Sequence, residues 1–247
     1  MAKLSSSVFE RNKCVSTNDG KDLPELPLPA GQWLWLDVSG DIDEATNALL
    51  RERLEISALA IQDASRTRHP PKLELLDNYT FLLLREIVSR KEGEDPDLSQ
   101  VSIFVNDHVL VTIHKPASAV VKLARQRINK KIGPSVKGPA QAAYALCREI
   151  ADAAEPVILT HEEELASIED AIFENADDSA LEALSRLNRI LRRLRRILSY
   201  EAVVFERLQR KVQEKVVPFG KPETTDLYEN MDRLATLCQL NQELAVD

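Results

Sequence analysis

The spacing of apolar residues changes character near Pro139. Before it, short apolar runs broken by turn residues read as strands, and after it apolar positions recur every three and four residues, as on a helix. Trp33-Leu34-Trp35-Leu36-Asp37-Val38, closed by Ser39-Gly40, is a strand candidate. From Asp43 to about Leu54, Ala45, Ala48, Leu49 and Leu54 fit a helix, and Ala58-Leu59-Ala60-Ile61-Gln62-Asp63 a further helical turn. His69-Pro70-Pro71 then forces the chain to extend, because proline fixes φ and restricts the residue before it. Lys72–Leu76 and Tyr79–Val88 read as two strands around an Asp77-Asn78 turn, with residues 89–96 a charged surface loop. Val101–Val105 and Val109–Ile113 flank Asn106-Asp107-His108 as a tight hairpin. Hairpins and helices are interspersed, so the sheet is expected to be mixed.

Past Pro139 the pattern is helical throughout. Residues 141–175 form the first long segment, with Pro156 as a kink or boundary. Ile158, His161, Leu165, Ile168 and Ile172 recur at helical spacing. A polar turn over 175–179 leads to a second helix carrying Leu184, Leu187, Leu191, Leu194, Leu198, Phe205, Leu208 and Val212 on one seam, interrupted at Glu201. Pro218 and Gly220 end it, and a last helix starts at Asp226. The first long helix is acidic (Glu162, Glu163, Glu164, Glu169, Asp170, Glu174) and the second basic (Arg186, Arg189, Arg192, Arg193, Arg195, Arg196), as an antiparallel pair with facing charged flanks would be.

The expected fold is therefore α+β: a mixed sheet flanked by helices in an α/β/α sandwich-like head, then a long antiparallel helical hairpin and the start of a further helix. The expected divisions are a connector over 1–30 with a proline-spaced run at 23–29, a head over 31–138, a hairpin over 139–220, and the last helix over 221–247.

Composition narrows the function. A net charge of −8 disfavours bulk attraction to nucleic acid. Cys14, Cys147 and Cys238 are scattered without metal-ligand spacing, which suits reduced thiols. No stretch approaches the roughly 18 apolar residues of a membrane span. The four histidines show no ligand grouping, and His161 among glutamates reads as part of a solvated acidic face. Residues 133–138, Gly-Pro-Ser-Val-Lys-Gly, lack the Gly-Lys-Ser/Thr ending of a phosphate loop. No nucleophile elbow or cysteine-nucleophile context is present, so no enzyme is expected. Two carboxylates stand out by position: Asp63 at the end of its helical turn, and Asp226 at a helix start, where acids favour the macrodipole.

Trp35-Leu36-Asp37-Val38, Ile56–Asp63 followed by Pro71–Tyr79 and Phe81–Arg85, and Gln100–Phe104 with Val111–His114 together resemble the cytoplasmic part of CorA-type divalent-cation transporters, including the ZntB branch. The acidic and arginine-rich helices resemble the family's projecting hairpin, and Asp226-Leu227-Tyr228 the start of its stalk.

The resemblance implies a homopentamer forming a cytosolic funnel on the inner side of the cell membrane, under a pore made by two membrane helices per subunit. Those helices lie beyond residue 247, so the chain is expected to be an excised, soluble fragment that meets the membrane only through them. It also implies divalent-metal partners (Mg2+ or Co2+, with Zn2+ in the ZntB branch) and no organic cofactor. A regulatory hydrated Mg2+ would be shared between Asp63 of one subunit and Asp226 of the next. Gln62 stands where the family is often acidic, which speaks against an auxiliary metal site, and Pro70 replaces the basic residue that often precedes the Pro-Lys pair. The alternative reading is a stand-alone helical adaptor that binds a protein or an anionic surface through its arginine-rich hairpin.

Overall fold

A computed structural model describes the chain apart from residues 1, 12, 21, 68, 90–94, 117, 131–135, 175–177, 215–216 and 247. Part of the charged loop, part of the glycine-containing loop and the first residues of the polar turn therefore lie outside the described residues. Seven strands and six helices follow in the order β1 (Lys3–Glu10), β2 (Lys13–Asp19), β3 (Gln32–Ser39), α1 (Glu44–Glu52), α2 (Ala58–Ser65), β4 (Lys72–Leu75), β5 (Thr80–Val88), β6 (Asp97–Val105), β7 (Val109–His114), α3 (Ala119–Lys130), α4 (Pro139–Glu174), α5 (Asp178–Gln213) and α6 (Lys221–Leu244) among the described residues.

The strands form one sheet in the order β2-β1-β3-β7-β6-β5-β4. Only β3 and β7 pair in parallel, so the sheet is mixed, as expected. Alternation along β3 sends Trp33 and Trp35 to one face and Leu34, Leu36 and Val38 to the other. Each face carries a stacked cross-strand aromatic pair that fixes register. Phe9 lies opposite Trp33 with ring centroids 4.3 Å apart, and Phe81 opposite Phe104 at 4.3 Å.

Two apolar cores result. On one face, α1, α2 and the link between them contribute Leu50, Leu54, Ile56 and Ile61. On the other, α3 and α4 cover the sheet and continue into a three-helix bundle with α5 and α6. Within the bundle α4 and α6 run the same way, joined by Arg148–Asp226 and Arg233–Glu155, and α5 runs against both.

The expectations need four corrections. The segment 1–30 is not simply a connector, because β1 and β2 complete one edge of the sheet. Ser5, Ser6 and Ser7 in β1 hide the apolar alternation that would have marked a strand. Helix α3 was not anticipated. Pro156 does not bound α4, which runs through it and spans 36 residues. The ring stands on the exposed side while Val157 and Ile158 are buried, so the carbonyl that loses its N–H partner sits toward water. Helix α6 begins at Lys221, so Asp226 lies in its second turn.

The expected seam of α5 is buried from Leu187 to Leu208, Glu201 included. Its principal neighbour is nevertheless α6 rather than α4. Arg186 meets Glu164 as the facing charges predict, but Arg195 turns to Gln242 of α6 at 2.7 Å.

Candidate functional site

Asp63 sits in the last turn of α2. Ser57 starts that helix by accepting the Ala60 N–H at 3.2 Å, an N-cap worth typically about 1 kcal/mol. At the other end, Gln100 of β6 donates from Nε2 to the carbonyls of Ala64 (2.9 Å) and Asp63 (3.3 Å). This side chain satisfies the Ala64 carbonyl that the helix leaves open and ties the Asp63 turn to the sheet.

The proline-extended segment 69–71 returns the chain to this corner. There Lys72 Nζ lies 2.6 Å from Asp63 Oδ2 and 2.7 Å from Glu74, and His69 Nε2 lies 3.1 Å from Asp63 Oδ1. Arg85 anchors the same segment by donating to the His69 carbonyl at 2.6 Å. Burial would raise the Asp63 pKa, but the Lys72 hydrogen bond and the charges of Lys72, His69 and Arg66 outweigh it and hold the carboxyl below its usual value. Desolvation likewise opposes charge on Lys72, and its two carboxylate partners overcome it, raising the ammonium pKa.

Asp226 is held by α4. Arg148 Nη1 reaches both oxygens, at 2.8 and 2.7 Å, and Tyr144 donates its hydroxyl at 2.9 Å. Burial, then the Asp226 carboxylate that its proton serves, pushes the Tyr144 hydroxyl up to about 12. Arg148 also binds Asp152 at 3.0 Å, which leaves Asp226 about two-fifths exposed beside a shared guanidinium.

The structure does not bring Asp63 and Asp226 together within one chain. Helix α2 packs on one face of the sheet, and α6 belongs to the bundle on the other. Among the described residues no group of three or more His, Cys, Asp or Glu is placed to hold a metal ion. The donors still fit a hydrated Mg2+, which keeps several waters and needs only one or two carboxylates. Each carboxylate is partly exposed, and each already has a cationic partner in its own chain. The sequence reading missed those partners, Lys72, His69, Tyr144 and Arg148, together with Gln100. The basic charge of Lys72 and Arg148 was visible, but the contacts span 9 and 78 positions and leave no local pattern.

The head and bundle define a class, a mixed-sheet α+β head with an attached three-helix bundle. The chain belongs to the CorA-like Mg2+ transporter protein family, whose pattern matches residues 30–247. It is 24% identical over 241 residues to YfjQ of Bacillus subtilis, covering 96% of this chain and 74% of that protein. Its fold is similar to that of the complete CorA magnesium transporter from Methanocaldococcus jannaschii (TM-score 0.76, 18% identity, 100% of this chain and 74% of that one). It is also similar to the cytoplasmic domain of ZntB from Vibrio parahaemolyticus (TM-score 0.77, 14% identity, 99% of this chain and 93% of that one). Among the described residues, no helix is long and apolar enough to cross a membrane.

Proposed function

We propose that this chain is the cytosolic regulatory domain of a CorA-type transporter of divalent cations (Mg2+, Co2+ or Zn2+), working as a homopentamer on the inner side of the cell membrane and catalysing no reaction. Family membership over residues 30–247 supports the transporter reading. The observation that carries the regulatory reading is that Asp63 and Asp226 stand on opposite sides of one sheet, so a shared ion joins them only between copies. Bound there, a hydrated dication would neutralise two facing carboxylates and favour the closed contact between subunits. Without it, Lys72 and Arg148 keep each carboxylate compensated within its own chain, and the two-state contact relaxes.

The test uses the full-length pentamer. Mg2+ is expected to protect it from proteolysis, with protection reduced by Asp63→Ala and by Asp226→Ala. Protection that survives both substitutions removes these residues from the site.

A further inference from the structure

One strongly charged cavity takes no part in that reading. A groove of about 620 Å³ runs between α5 and the start of β6, a size ordinary for small-molecule sites. Arg189, Arg192, Arg193 and Arg196 line it, and among the described residues lining it Asp95 is the only carboxylate. Its apolar floor is formed by Leu98, Ile190 and Leu194. A low-dielectric floor focuses the field of the charges above it.

Among the described residues, the cations here exceed their partners. Asp95 stands 3.6 Å from Arg186 and 3.7 Å from Arg189, at the loose end of ion-pair range. The guanidiniums of Arg192, Arg193 and Arg196 are exposed on the groove side of α5, and none makes an ion pair among the described residues. Arg193 lies close enough to the buried Arg85 for burial and then their mutual repulsion to oppose charge on Arg85, while Glu201 favours it. Glu201 itself is fully buried, and desolvation pushes it up to about 8 despite the Arg85 contact, so it does not supply a permanent counter-charge. A chain of net charge −8 thus keeps a concentrated positive site in one apolar-floored groove.

We infer that this groove binds a compact polyanion, a phosphate-bearing small ligand of the diphosphate class, clamped by the guanidinium forks of Arg193 and Arg196 with Arg189 and Arg192 at its rim. Guanidinium forks match phosphate oxygens two at a time, and side chains spaced i, i+3 on one helix face suit neighbouring phosphoryl groups. Asp95 is the built-in competitor, holding Arg189 until an anion replaces it.

The experiment is calorimetric titration of the 247-residue chain with inorganic pyrophosphate at low and at physiological salt, alongside sedimentation with phosphatidylglycerol vesicles. Saturable binding is expected, weakened at least tenfold in the double variant Arg193→Gln/Arg196→Gln and strengthened several-fold in Asp95→Asn, with circular dichroism and the thermal midpoint confirming that each variant folds. Absence of pyrophosphate binding, or binding indifferent to both variants, overturns the proposal. Vesicle binding that depends on Arg193 and Arg196 without pyrophosphate binding overturns it in favour of a lipid surface. The Mg2+ protection assay on Asp63 is independent of this result, so either reading can fail alone.

Discussion

Asp37 and Glu201 each carry a carboxyl group into the molecule, one near the end of β3 and the other in the middle of α5. Asp37 keeps 15% of its side chain exposed and is surrounded by donors. Thr112 donates to Oδ1 at 2.5 Å, His114 Nε2 lies 3.1 Å away, and Arg125 approaches within 3.8 Å. The other nitrogen of His114 faces the Lys115 carbonyl at 2.6 Å. Both imidazole nitrogens therefore look at acceptors, an arrangement that only the doubly protonated ring satisfies.

Glu201 is fully buried with one hydrogen bond, from the Arg85 backbone N–H at 2.6 Å, and its second oxygen has no partner. That N–H belongs to the part of β5 beyond its pairing with β4, which ends at Leu83, so Glu201 takes the place of a missing strand. The two groups end in opposite states. Desolvation opposes charge on both, but the His114, Arg125 and Thr112 contacts overcome it and lower the Asp37 pKa. At Glu201 it wins and raises the pKa to about 8. Partners decide the charge state of a buried acid, not burial alone.

The largest expected effect comes from breaking the charged member. Asp37→Asn leaves His114 and Arg125 without their counter-ion and is expected to lower stability in urea unfolding by on the order of 3–5 kcal/mol. Glu201→Gln, which keeps an acceptor and carries no charge, is expected to cost under about 1 kcal/mol at neutral pH. Equal losses would erase the contrast. Glu201→Ala is the next largest, at roughly 2–3 kcal/mol, because it opens a cavity and leaves the Arg85 N–H unpaired.

Titration sharpens the comparison further. Glu201 is protonated in the folded chain up to about 8 but ionises near 4.5 when unfolded, so its contribution is complete below 4.5 and falls as pH rises toward 8. The slope is at most about 1.4 kcal/mol per pH unit. In His114, desolvation is outweighed by the Asp37 contacts and the pKa is raised, so its contribution is complete below 6.5 and is lost as pH rises through the folded value. Asp37 acts oppositely, contributing above 3.8 and losing its share as pH falls through its lowered folded pKa. Thermal midpoints should therefore decline from pH 5 to pH 9, and Glu201→Gln should flatten that decline. An unchanged profile would show that Glu201 is charged in the fold.

The smallest effect is expected at Asp226. Its pair with Arg148 is more than a third exposed on both sides, and Asp226→Asn should change the stability of the isolated chain by only about 0–1 kcal/mol. Measured by urea unfolding, a loss above 2 kcal/mol would make this contact structural in its own right.

Much of the fold was legible because local pattern carries it. The apolar runs of β3, β5, β6 and β7 and the seam of α5 announce themselves within windows of ten or so residues. What needed three dimensions was pairing. Nothing local says that β3 lies parallel to β7, which sets Asp37 opposite Thr112, or that α5 favours α6. Glu201 was visible only as an interruption, since its role depends on an open edge of β5 contributed from 116 positions earlier. At the candidate site, Asp63 and Asp226 stood out by position and were paired around an ion through the family resemblance, while their in-chain counter-ions emerged only from the packing.

The parallel course of α4 and α6 has a mechanical consequence. A load applied along α6 at Leu244 acts as shear, resisted together by Arg148–Asp226, Arg233–Glu155 and the buried residues Leu227, Met231, Leu234 and Cys238. A sideways load instead peels those contacts one after another, beginning near Leu240 and Leu244, which are exposed. Ala142, Ala143, Leu146 and Ile150 of α4 lie in the same core as the sheet, so α6 meets the strands through one continuous apolar layer. The last helix is a push-rod, stiff along its length and compliant across it.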